Sequence, residues 1–133
     1  MILSGIPGLT LLDLDDIGLE WRDEEEALEP FDTFEENARS KAEYFHTRTG
    51  LPTVADDSGL EVDALQGAPG VRSKRFAPVE GLIGHKLDQA NNDYLTQQLG
   101  SLEIEKRTSQ YVCVAVLLGF TDQMIIARGE AKG

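Results

Sequence analysis

The stretch Val54-Ala55-Asp56-Asp57-Ser58-Gly59-Leu60 constrains this chain more than any other. A short apolar run stops on two adjacent carboxylates, then a hydroxyl, then a glycine. Apolar residues ending in acids read as a strand that delivers charge to its own carboxyl end, where open α/β sheets bind ligands. Neighbouring carboxylates repel, so a fold that keeps both beside a cleft offers them a cation. The second acid is then free to take a proton from water. The same residues also fit an Asp-Asp-Ser-Gly turn, since Asp, Ser and Gly all favour turns. The residues around the stretch favour the site over the turn.

A chain of 133 residues fits one domain, and 41% hydrophobic residues suffice for a packed core. The longest apolar run, Val112 to Leu118, is far shorter than the ~20 residues of a membrane-spanning helix. The N-terminus carries no basic region followed by a long apolar stretch, so no secretory signal is expected. The single cysteine, Cys113, lies in a strand-like run and reads as a buried thiol, which makes a reducing, cytoplasmic setting the expectation. A net charge of -12 argues against general binding to nucleic-acid backbones. It leaves room for a phosphorylated small molecule whose charge a metal neutralises locally. The acids are concentrated between Asp13 and Glu36, where Arg22 is the one basic residue. Most of them read as a solvated face or loop, with one or two available as ligands.

Leu9 to Leu14 reads as a strand entered from the Pro7-Gly8 turn, followed by a long polar connection from Asp15 to Asp32. Thr33-Phe34-Glu35-Glu36 matches a capping box, in which the Thr33 hydroxyl serves the Glu36 amide and the Glu36 side chain reaches back to the Thr33 amide. The helix it starts runs to about Arg48, with Phe34, Ala38, Ala42 and Phe45 on one apolar stripe and Gly50 and Pro52 as the stop. Thr53 to Ala55 forms the strand feeding the aspartates, and Leu60 to Leu65 alternates like a second, half-exposed strand. Leu82 to Leu99 is helical, with Leu87, Ala90, Asn91, Tyr94, Leu95 and Leu99 in register and Gly100 as the stop. Ser109 to Phe120 is the clearest strand, with Gln123 to Arg128 as its hairpin partner. The order is that of an α/β domain with a mixed sheet flanked by helices.

Three groups converge if this reading holds. Asp56 and Asp57 are the first. Asn37 and Lys41, one helical turn apart, are the second. Lys41 interrupts an apolar edge, so it either snorkels or points into a polar cleft. Arg72, Lys74 and Arg75 are the third, either facing phosphate oxygens or forming a soluble loop in an acidic protein.

Taken in order, these residues resemble a family. Thr33-Phe34-Glu35-Glu36-Asn37-Ala38, Lys41-Ala42, Gly50-Leu51-Pro52, Ala55 to Leu60, and Gly67-Ala68-Pro69-Gly70-Val71 with Ser73 and Arg75 look like the inosine triphosphate pyrophosphatases, the house-cleaning XTP/dITP diphosphatases. The resemblance runs from Leu9 to Lys132. It implies a two-lobed α/β fold with the substrate in the cleft between lobes, and a homodimer. It implies hydrolysis of non-standard purine nucleoside triphosphates (ITP, dITP, XTP) between the α and β phosphates, giving the monophosphate and pyrophosphate, with Mg2+ as the cation. By matching positions, Asp57 is the general base and Asp56 and Glu29 bind the metal. Lys41 contacts the phosphates, and Ser58, Asn37 and Arg75 contribute to substrate binding, Asn37 as a support for the cleft.

The chain departs from the family pattern in two places. Where the family has an acidic pair, a small residue and a glycine, this chain reads Leu28-Glu29-Pro30-Phe31-Asp32, which leaves Glu25 and Glu26 as substitutes for Glu29. A Thr/Ser-x-Asn-x-x-Lys turn ahead of Ile2 is absent, as are the Gly-Phe-Gly-Tyr-Asp-Pro, lysine and Ser-His-Arg segments beyond Gly133 that recognise the base. The chain therefore reads as the middle of one domain, incomplete at both ends. The competing readings are an inactive nucleotide-binding or dimerisation module of the same fold and a relative acting on modified pyrimidine triphosphates.

Overall fold

The computed structural model describes residues 5–20 and 27–133. Helix α1 spans Phe34–Thr49, strand β1 Thr53–Val62, helix α2 His85–Leu99, strand β2 Ser109–Leu118 and strand β3 Ile125–Lys132. A 3-10 segment, Gly70–Arg75, crosses between β1 and α2. The chain is α/β, as its sequence implies. The described strands form one antiparallel sheet in the order β1-β2-β3, and no parallel pair occurs among them.

Helix α1 starts where the capping box places it. The Thr33 hydroxyl accepts from the Glu36 amide at 3.2 Å. The return arm differs from expectation, because the Glu36 carboxylate accepts from the Thr33 hydroxyl at 2.7 Å. Gly50 ends the helix at φ 69°, donating to the His46 carbonyl. That left-handed turn is inexpensive for glycine and strained for most other residues. Alanines at 38 and 42 have no exposed surface and let the helix lie close against Val116 of β2 and Ala55 of β1. Phe34 packs with Val112, Val114 and Val71. Alternate residues of β2 (Val112, Val114, Val116) are therefore buried under α1, while Tyr111 is half exposed on the other side. This is the two-residue period of a sheet covered on one face.

The sequence reading is corrected in three places. Leu9 to Leu14 forms no strand: residues 14–18 turn back on themselves through the Leu19 amide and the Leu14 carbonyl, with reciprocal bonds between Asp13 and Asp16. An apolar run becomes a strand only where a neighbour pairs its backbone, and none of the described strands does so here. The two short segments around the aspartates are one continuous ten-residue strand, β1, paired with β2 from Thr53↔Leu118 to Val62↔Ser109. Asp56-Asp57-Ser58-Gly59 is consequently neither a turn nor a strand terminus. Cys113 is half-buried rather than sealed in the core. No described helix is long and apolar enough to cross a membrane.

Candidate active site

The extended backbone of β1 decides which side chains share a site. Successive residues of a strand point to opposite faces. Ala55, Asp57 and Gly59 face α1: Ala55 packs on the alanine stripe, and a Cβ on Gly59 would lie 3.1 Å from the Phe34 ring. Asp56 and Ser58 face the other side. The Asp56 carboxylate lies 3.8 Å from the Cys113 thiol, which donates to it, and the Ser58 hydroxyl meets the Tyr111 hydroxyl at 3.1 Å.

Beneath α1, Asp57 is only 8% exposed. One oxygen accepts from the Asn37 amide nitrogen at 2.9 Å, and the other from the Ser58 amide at 3.0 Å. Burial raises the Asp57 carboxyl above its ordinary range, opposed by the Asn37 hydrogen bond and the positive charge of Lys41 and reinforced by the negative charge of Glu29. Lys41 follows Asn37 by one helical turn and donates to Glu29 at 2.6 Å. Arg75 closes the group from the 3-10 segment, donating to the Glu29 carbonyl at 2.9 Å and placing its other nitrogen 3.7 Å from the Glu29 carboxylate. Five of the seven sequence-derived site residues (Glu29, Asn37, Lys41, Asp57 and Arg75) therefore assemble from four segments. Asp56 and Ser58 do not join them. Glu25 and Glu26 lie outside the described residues. Arg72 and Lys74 are exposed, and among the described residues only Arg75 of the basic cluster reaches Glu29.

The donor set fits a hard divalent cation. Glu29 pairs with the Lys41 ammonium, whose charge also acts on Asp57, so the two carboxylates are the oxygen donors available here; Mg2+ is commonly held by one or two carboxylates plus phosphate oxygens and water. Among the described residues, no group of three His, Cys, Asp or Glu side chains gathers at one point, so a larger all-protein cage is not available there. A groove of about 870 Å3 borders the N-terminal end of α1, with Glu61, Arg72 and Arg128 on its walls. None of the seven site residues lines it.

Two structural residues were not singled out for these roles by the sequence. Ser73 accepts from the Leu60 amide at 2.8 Å and donates to the Gly70 carbonyl, pinning the 3-10 segment to β1. Buried Asn91 accepts from the Phe76 and Ala77 amides and donates to the Lys74 carbonyl, so it fixes the backbone on either side of Arg75. Its helical spacing had suggested only a stripe position. Its polarity at a position buried among apolar neighbours was the available signal, because buried amides are hydrogen-bonded.

The family model described as the Ham1 family matches residues 2–133. The chain belongs to the Ham1 family. Among Ham1-family relatives, a protein named dITP/XTP pyrophosphatase from Burkholderia pseudomallei is 49% identical over 110 residues, 81% of this chain and 51% of its own. One of the same name from Nocardia farcinica is 42% identical over 132 residues, covering 98% of this chain and 59% of its own. A solved nucleoside-triphosphatase, dITP/XTP pyrophosphatase, from Mycobacterium abscessus superposes with a TM-score of 0.71 at 34% identity, over 99% of this chain and 63% of that one. The Staphylococcus aureus Ham1 protein gives 0.67 at 37% identity, over 79% and 51%. The chain thus spans about half to three-fifths of the length of these relatives. The resemblance read from the motifs is borne out.

Proposed function

We propose that the protein is a Mg2+-dependent pyrophosphatase that hydrolyses non-standard purine nucleoside triphosphates (ITP, dITP, XTP) to the monophosphate and pyrophosphate. It acts in the cytoplasm, as a homodimer, to clean the nucleotide pool. The observation that carries this reading is the Lys41–Glu29 ion pair set close enough to buried Asp57 for both charges to act on its carboxyl, in a chain whose relatives bear the name dITP/XTP pyrophosphatase.

Glu29 and Asp57 would hold the cation. When bound, it neutralises phosphate charge and acidifies a coordinated water. Asp57 accepts the proton of the attacking water, the role of a general base within reach of the reacting oxygen. The water oxygen bonds to the α phosphorus as the bond to the bridging oxygen breaks, and pyrophosphate leaves with that oxygen. Lys41 presents a compact positive charge to the departing pyrophosphate. Arg75 holds Glu29 in place and supplies a second positive charge at the rim of the site. Ser58 enters through its backbone, since its amide serves Asp57 while its hydroxyl faces away.

The test is pyrophosphate release from ITP, XTP, GTP and ATP with Mg2+, using the protein expressed from its natural reading frame. ITP and XTP should be preferred. Tight nucleotide binding with no hydrolysis would instead identify an inactive module.

A further inference from the structure

Asn37 has no solvent-exposed surface, and its side chain makes three hydrogen bonds at once. The oxygen accepts from the Phe31 amide at 2.9 Å. The nitrogen donates to the Phe31 carbonyl at 3.3 Å and to the Asp57 carboxylate at 2.9 Å. The amide has one nitrogen and one oxygen, and both are committed, so none of its polar atoms is turned toward a ligand. Its partners lie on two different segments. Phe31 is two residues beyond Glu29 on the irregular approach to α1, and Asp57 is in the middle of β1. The approach segment has no strand or helix ladder of its own here, so the backbone of Phe31 relies on this side chain for its pairing.

From this geometry we infer that Asn37 is a positioning residue rather than a nucleotide contact: one buried amide fixes the Glu29 segment and the Asp57 carboxylate relative to each other. The inference rests on the reading of Glu29 and Asp57 given above. It revises the expectation that Asn37 contributes to substrate binding. Lys41 cannot substitute for it, because an ammonium group donates hydrogen bonds but accepts none, and so cannot take the Phe31 amide. A displacement of about 1 Å between groups that must act together costs on the order of a hundredfold in rate.

Two variants test it, each assayed for ITP hydrolysis with Mg2+ and for thermal melting, alongside Asp57→Asn. Asn37→Asp keeps the shape and the acceptor for Phe31 but turns a carboxylate toward Asp57. Asn37→Leu keeps the volume and removes all three hydrogen bonds. For folded variants the expected result is a fall in kcat of about a hundredfold with KM within about threefold of the parent, because the interaction acts on the reacting groups and not on substrate affinity. Three results would overturn the inference: kcat within about threefold of the parent, a loss carried by KM, or failure of both variants to fold, which would make the amide a requirement of the fold itself. If Asp57→Asn retains full activity, the site reading falls. If Asp57→Asn is inactive and the Asn37 variants are not, only the positioning role falls.

Discussion

Asp56 and Asp57 are adjacent in the chain and face opposite sides of one strand, Asp57 beneath α1 against Asn37 and Asp56 beside the Cys113 thiol. Only Asp57 shares a surroundings with Glu29 and Lys41. Asp56→Asn should therefore leave kcat for ITP within about threefold of the parent, as is usual for a substitution outside the reacting groups. The same change should act on the thiol. Burial and then the Asp56 charge raise the Cys113 thiol above its ordinary range, so removing that charge lowers it and speeds alkylation at neutral pH. Steady-state kinetics and the rate of thiol labelling check the two halves separately.

Stability should respond to pH through Asp57. Its folded carboxyl titrates above the ordinary 3.8, chiefly because of burial. Between 3.8 and the raised value the folded state holds a proton that the unfolded chain releases, so stability falls as pH rises through that window. Above the window the whole cost of the buried charge remains. In buffer with a chelator, Asp57→Asn should melt higher than the parent at neutral pH, with the difference narrowing as the pH is taken below 3.8. A constant difference across the titration would contradict this. Lys41 opposes the shift, so Lys41→Met should move the acid limb of the activity profile to higher pH.

Gly59 has no room for a side chain. An added Cβ would strike the Gly70 carbonyl and lie 2.6 Å from the Ser73 hydroxyl oxygen. Gly59→Ala should destabilise the fold by about 1–3 kcal/mol, as overpacking of a close contact does. It should also loosen the segment that carries Arg75. Chemical denaturation measures the first effect.

Asn91→Ala removes the acceptor of two backbone amides, one of them buried, and a donor to the Lys74 carbonyl. The expected loss is roughly 1–3 kcal/mol for the unsatisfied groups. The change lies in α2, away from Asp57, so kcat measured per folded molecule should fall less than for the Asn37 variants.

Local chemistry was legible in the sequence wherever one short segment decided it. Thr33, Glu36 and Gly50 announced both ends of α1, and the alanine and phenylalanine spacing announced its buried face. Asn37 and Lys41 were placed on one face by helix geometry alone, and the structure puts them one turn apart against the acids. Residue types could not show that Asp56-Asp57-Ser58-Gly59 continues as a strand. Acids, serine and glycine are poor strand formers, and here pairing with the Val112 to Val116 stretch overrides that preference. Once the segment is a strand, strand alternation alone separates Asp57 from Asp56 and Ser58. Glu29 was visible only through resemblance, because its partner Lys41 is twelve residues away and nothing local links them. The strand expected at Leu9 to Leu14 failed for the opposite reason, since none of the described strands pairs with it: residues 9–13 are irregular and the turn follows at 14–18.

The most direct measurement is pyrophosphate release from ITP under saturating Mg2+ by the parent protein and by Asp57→Asn, on samples shown by melting to be folded. The account predicts turnover by the parent, its abolition by a chelator, and a fall of at least about a hundredfold in Asp57→Asn, the range for loss of a general base. A folded Asp57→Asn protein that releases pyrophosphate at the parental rate would contradict it.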